Sequence, residues 1–136
     1  MRVRTVLERS DAVAMLDAAV AEASNHQWNV AIAVVDEGGH LLAFTRLDGC
    51  PAVSATIAIE KARTSVLGKR ESRVYEEIVN NGRTAFLSVA PLQGMLEGGF
   101  PVFVNGECVG AIGVSGVKSS EDAQIAKAGL AALQTA

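Results

Sequence analysis

Six kinds of side chain and one glycine pair could do chemistry in this chain. His26 and His40 carry imidazoles, which titrate near neutrality and suit both proton transfer and axial ligation of a haem iron. His26 falls at the expected end of a helix, where a solvated cation is favoured by the dipole; the sharper alternative is an axial ligand or proton shuttle. His40 falls at a hairpin tip, either exposed or lining a pocket shared with a neighbouring subunit. Arg46 precedes Leu47-Asp48-Gly49 and either clamps a carboxylate with two parallel hydrogen bonds or bridges to Asp48. Glu60 and Lys61 lie within the alanine-rich "ATIAIEKARTSV". There Lys61 either snorkels to solvent or, buried beside the glycine pair, has a lowered pKa and acts as acid or base. Gly98, Gly99, Phe100 and Pro101 make the candidate pocket wall: the glycines offer N–H donors and close approach, Phe100 an apolar face. A bulge and strand start is the plainer reading of that run.

Other chemistries are disfavoured. Two histidines 14 positions apart, with no HExxH and no paired cysteines, argue against a metal site. No GxSxG elbow, P-loop or GxGxxG element occurs. "GGFPVFVNG" is not a phosphate loop, because a strand follows it and not a helix. Cys50 and Cys108 are isolated, which suits free thiols in a reducing, cytoplasmic compartment; Cys50 reads as the more accessible. The net charge of -3 with no basic stripe disfavours nucleic acid. No apolar run approaches the roughly 18 residues of a membrane span, and "MRVRTVLERSDAVAML" lacks the apolar block of a secretory signal.

The elements that must position these groups follow from periodicity and turn chemistry. At 136 residues with 49% apolar composition, one domain spanning 1–136 is expected. Ser10 and Asp11 can cap a helix reaching about Asn25. Val30 to Val35 is an unbroken apolar strand, "DEGGH" turns the chain, and Leu41 to Arg46 returns. Pro51 opens a second helix, and "SRVYEEIVNNG" gives a third, with Tyr75 half exposed. Residues 83–97 read as a short strand and a loop. Asn105-Gly106 is a strong two-residue hairpin signal joining Pro101–Val104 to Glu107–Ser115. A last helix starts at Ser119 or Ser120 and runs to about Leu133. Strict alternation would place Cys108, Gly110, Ile112 and Val114 on one face of their strand and Val109, Ala111, Gly113 and Ser115 on the other. Neither set is polar, so both sheet faces must carry helices. The expected fold is therefore α+β: a three-layer α/β/α sandwich around a mainly antiparallel five-stranded sheet.

The segments "AVVDEGGHLLAFTRLDG", "IEKARTSV", "GGFPV", "VGAIGVSG" and "EDAQIAKAGL", in this order, resemble the GlcG/HbpS-like family, a haem-binding or "haem-degrading" domain that also forms the C-terminal part of PduO-type proteins. The resemblance runs over about residues 5–133. It implies a profilin-like domain that assembles into dimers or larger homo-oligomers, and it includes Lys61. Some relatives bind haem at or near a subunit interface, so haem is the cofactor it implies. The family hairpin usually carries asparagine where this chain has His40. Two functions are thus expected. One is a binding module of a catabolic or stress pathway, holding haem or another planar anionic ligand with Gly98, Gly99, Phe100, Pro101, Glu60 and His26. The other is a cofactor-independent tautomerase or isomerase acting on a small unsaturated carboxylic acid through Lys61, Arg46 and His40. A structural or sensing subunit with no ligand of its own is a third reading.

Overall fold

The structure, a computed structural model, describes residues 1–134, with side chains to Leu133. In chain order it contains α1 (Arg9–Asn25), β1 (Ala31–Asp36), β2 (Leu41–Arg46), α2 (Ala52–Gly68), α3 (Ser72–Asn80), a short 3-10 helix (Thr84–Ser88), β3 (Gly99–Val104), β4 (Glu107–Ser115) and α4 (Ser119–Gln134). The four strands pair antiparallel throughout in the order β2-β1-β4-β3. Both faces are covered. Val30, Ile32, Val34, Phe100, Val102, Ile112 and Val114 pack against α1 and α4. Ala31, Ala33, Val35 and Ala111 pack against α2.

The two faces differ in residue size, and that difference sets the helix distances. On the α2 side the strands present alanine and glycine, so α2 lies backbone against backbone. A Cβ on Gly113 would sit 2.2 Å from the Ala58 carbonyl oxygen and 2.6 Å from the Ala62 nitrogen, and one on Gly99 would sit 2.4 Å from the Lys61 carbonyl oxygen. Close approach without a side chain is what glycine permits.

Three expectations need correction. The sheet has four strands, not five, because residues 83–97 add no strand: the 3-10 helix packs on α3 and the stretch around Gly94 on α2. The Gly94 N–H donates to Thr64 Oγ1 at 2.9 Å. Its missing side chain lets the segment touch the Glu60 backbone, 2.3 Å from where a Cβ would stand. Secondly, a bulge in β4 breaks the alternation. Val102 pairs with Gly110 but Phe103 with Cys108, leaving Val109 as the extra residue. Val109 therefore joins the α1/α4 core and Cys108 turns to the α2 side. Thirdly, Tyr75 is buried against Gly68 and Phe86, and Cys50 is more buried than Cys108.

Candidate functional site

Lys61 and the diglycine run do meet, but as packing. Lys61 projects from mid-α2, where the alanine-rich helix lies nearest the sheet, and its side chain is only 3% exposed. The ammonium donates to the Val114 carbonyl at 2.8 Å and to Asp122 Oδ2 at 3.1 Å. It lies 2.8 Å from the place a Gly98 Cβ would take. Asp122 stands in the first turn of α4, where the dipole favours an anion. Its other oxygen accepts from the Val117 N–H at 3.2 Å. The pair thus ties α2, β4 and α4 together at one end of the sheet. Burial pushes the Lys61 ammonium below the ordinary lysine value, with the attraction of Asp122, and then of Glu76 and Glu97, working against it. Burial likewise raises the Asp122 carboxyl, opposed by Lys61.

Both glycines are buried. The Gly98 carbonyl accepts from the Val114 N–H at 3.0 Å, and the Gly99 N–H donates to Ser72 Oγ at 2.8 Å. Phe100 is a core residue with Lys127 Nζ 5.7 Å from its ring centroid. Pro101 pairs with Ala111 on an edge strand, where its missing N–H is tolerated. Glu60 accepts from Arg63 Nη1 at 3.2 Å.

The remaining candidates are scattered. Arg46 is exposed and pairs with Ala31 on the outermost strand β2, while Gly99 pairs with Gly113 on β3. Three strand spacings of about 4.8 Å each separate Arg46 from Gly99, whereas Lys61 bonds the Val114 carbonyl on β4, next to Ser115, which pairs with the same Ala31 as Arg46. His26 caps the C-terminus of α1, as the helix-end reading expects. Its ring stacks on Trp28 at 4.2 Å, and Nε2 lies 3.3 Å from both Glu22 Oε2 and Gln124 Nε2. His40 stands at the far end of β1. His40 is therefore at the opposite end of the sheet from Arg46 and Lys61.

His40 has the geometry of a prepared ligand. The turn residue Asp36 holds Oδ1 against the Gly38 N–H at 2.9 Å, the His40 N–H at 2.9 Å and His40 Nδ1 at 3.2 Å. Burial would raise this carboxyl, but the His40 and Gly38 N–H groups and the His40 ring outweigh it and hold the pKa below the ordinary aspartate value. The ring is 81% exposed, and Nε2 has no partner among the described residues. Arg63 lies across the same turn, its Cγ 3.4 Å and Nε 3.6 Å from where a Gly39 Cβ would stand. A histidine whose Nδ1 is held by a carboxylate is fixed in orientation and made a better Nε2 donor. Position 40 read as a hairpin tip in the sequence; the brace by Asp36, four residues earlier, emerges only in the structure. Among the described residues no group of three or more histidine, cysteine or acidic side chains could hold a metal ion, and no helix is long and apolar enough to cross a membrane.

The fold is thus an α+β domain, a helix-covered antiparallel sheet with a carboxylate-braced imidazole at its first hairpin tip. The family model for haem degrading protein HbpS-like matches residues 7–131, and the chain belongs to that family. Protein GlcG of Escherichia coli K12 is 52% identical over 115 residues, 85% of each chain. The crystal structure of a PduOC:haem complex superposes with a TM-score of 0.85 at 28% identity, covering 94% of this chain and 95% of that one. A double mutant of Streptomyces reticuli HbpS superposes at 0.88 with 30% identity, covering 98% and 90%.

Proposed function

We propose that this chain binds haem, or a planar anionic molecule of similar shape, at the β1–β2 hairpin tip. The observation that carries this reading is His40: exposed, braced through Nδ1 by Asp36, with Nε2 unengaged. The donor chemistry fits a haem iron, for which a neutral imidazole with a hydrogen-bonded second nitrogen is a normal axial ligand. When bound, the group supplies a redox-active iron. His40 binds it, Asp36 orients His40, and Arg63 meets a propionate carboxylate. A second copy of the chain shields the tip from water in a homo-oligomer. The free thiols of Cys50 and Cys108 support a reducing, cytoplasmic setting. Binding is preferred over proton-transfer catalysis because Lys61 is closed off from solvent and held by two partners.

Titration with haem tests this reading. A saturable Soret shift is expected for the wild type and for His26→Ala, and its loss for His40→Ala with the far-UV circular dichroism unchanged. An unaltered Soret titration in His40→Ala would overturn the assignment. Asp36→Asn keeps the shape of the turn but removes the negative brace. Haem affinity is expected to fall about 10- to 100-fold, with the Soret position retained, as read from the same titration.

A further inference from the structure

A cavity of about 200 Å³ opens beside the two hairpin tips, on the α2 face of the sheet. The segment before α1 crosses over it, bringing Arg2, Arg4 and Thr5 against the C-terminal end of α2 and the β3–β4 hairpin. Val66 and Cys108 line its apolar part, and Phe103, 50% exposed, stands beside them. Burial raises the Cys108 thiol above its ordinary value, so it stays neutral at pH 7 and acts as apolar surface.

The charges of the lining do not balance. Arg4 is paired with Glu37 at 2.5 Å, and Glu107 accepts the Thr5 N–H at 3.0 Å. Both acidic groups thus have partners, while Arg2 and Lys69 have no hydrogen-bond or ion-pair partner among the described residues, Lys69 acting only at longer range on Cys108. Lys69 is also conformationally odd. It follows the last turn of α2 with φ +56°, a left-handed conformation that costs a non-glycine residue on the order of 1–2 kcal/mol and is normally taken by glycine after a helix. A lysine side chain thus stands where glycine fits better, at the mouth of a cavity with surplus positive charge. The volume is below the roughly 300–1,000 Å³ of pockets for drug-sized ligands, so a tetrapyrrole does not fit inside.

We propose that this cavity is a binding site for a small monocarboxylate with a short flat apolar body, its carboxylate held by Lys69 and Arg2 and its body against Phe103 and Val66. The site is separate from the haem reading and stands without it.

The test uses the full chain with benzoate as the probe, followed by amide chemical shifts. Benzamide, of nearly the same shape but neutral, and inorganic phosphate, an anion without the apolar body, are the comparisons. Saturable shifts at Lys69, Phe103 and Cys108 are expected with benzoate, with benzamide and phosphate at least about tenfold weaker, as loss of a charge-assisted contact implies. Lys69→Gly removes the cation and relieves the backbone, so it should fold at least as well as the wild type while binding benzoate about tenfold more weakly. Arg2→Gln should weaken binding in the same direction. Equal affinity for benzoate and benzamide, equal affinity for benzoate and phosphate, shifts that do not saturate, or undiminished benzoate binding in Lys69→Gly would each overturn the proposal. None of these readouts involves haem.

Discussion

Lys61→Met is expected to destabilise the protein by about 3–5 kcal/mol near neutral pH, as measured by urea unfolding. The cost is not the value of the lost contact. It arises because Asp122, with a side chain 3% exposed, is left as a buried carboxylate whose cation has gone. The pH dependence follows from the same fact. Burial already raises the Asp122 carboxyl above its ordinary value while Lys61 pulls it down; without Lys61 it rises further. The folded variant then holds a proton more tightly than the unfolded chain does. Its penalty is therefore full above the folded pKa and fades as pH falls towards the unfolded value of about 3.9. Asp122→Leu combined with Lys61→Met removes both charges and should recover most of the lost stability, since apolar replacement of a buried pair is often neutral. If the single variant is as stable as the wild type at pH 7, the pair is not the interior tie between α2, β4 and α4 described above.

Gly113→Ala is expected to cost about 3 kcal/mol, at the upper end of ordinary overpacking. The added methyl would stand 2.2 Å from the Ala58 carbonyl oxygen and 2.6 Å from the Ala62 nitrogen. Both are backbone atoms in the middle of a helix, so relief requires α2 to lift from the sheet as a unit. The Ala31, Ala33 and Ala111 contacts beneath it would loosen together. Gly106→Ala is the control. Nothing lies within 4 Å of a Cβ there, and only the positive φ of +79° resists it, which corresponds to about 1–2 kcal/mol. Denaturant midpoints of the two variants separate close packing from turn strain; equal losses would remove the case for backbone contact between α2 and β4.

The architecture was legible where local chemistry and layer logic agreed. Apolar residues on both faces of β1 and β4 required helices on both sides, and Asn105-Gly106 located the second hairpin. Residues 83–97 misled because a proline- and glycine-containing apolar segment looks alike whether it joins a sheet edge or packs on a helix; Gly94 against the Glu60 backbone decided it. Gly98 and Gly99 misled for a related reason. Absence of a side chain permits the approach of a ligand or of a helix equally, and here the neighbour is α2. For Lys61 the sequence left snorkelling to solvent and burial beside the diglycine both open, and its partner Asp122 lies 61 positions away with no pattern linking the two. The separation of Arg46 from Gly99 depends on strand order, which hairpin signals leave open. His40 was visible as a hairpin tip, whereas the brace by Asp36 depends on a side-chain rotamer that composition does not encode. The cavity beside the hairpin tips needs the path of residues 1–5 across α2, and that segment has no periodicity to predict it.

Imidazole rescue of a haem-loaded His40→Gly variant tests the central claim most directly. Replacing the ring by hydrogen leaves room for free imidazole at the vacated position. If His40 Nε2 is the axial donor, haem mixed with His40→Gly should lack the wild-type Soret band, and added imidazole should restore it saturably while leaving the wild-type spectrum unchanged. A wild-type band in His40→Gly before any imidazole is added would contradict the assignment.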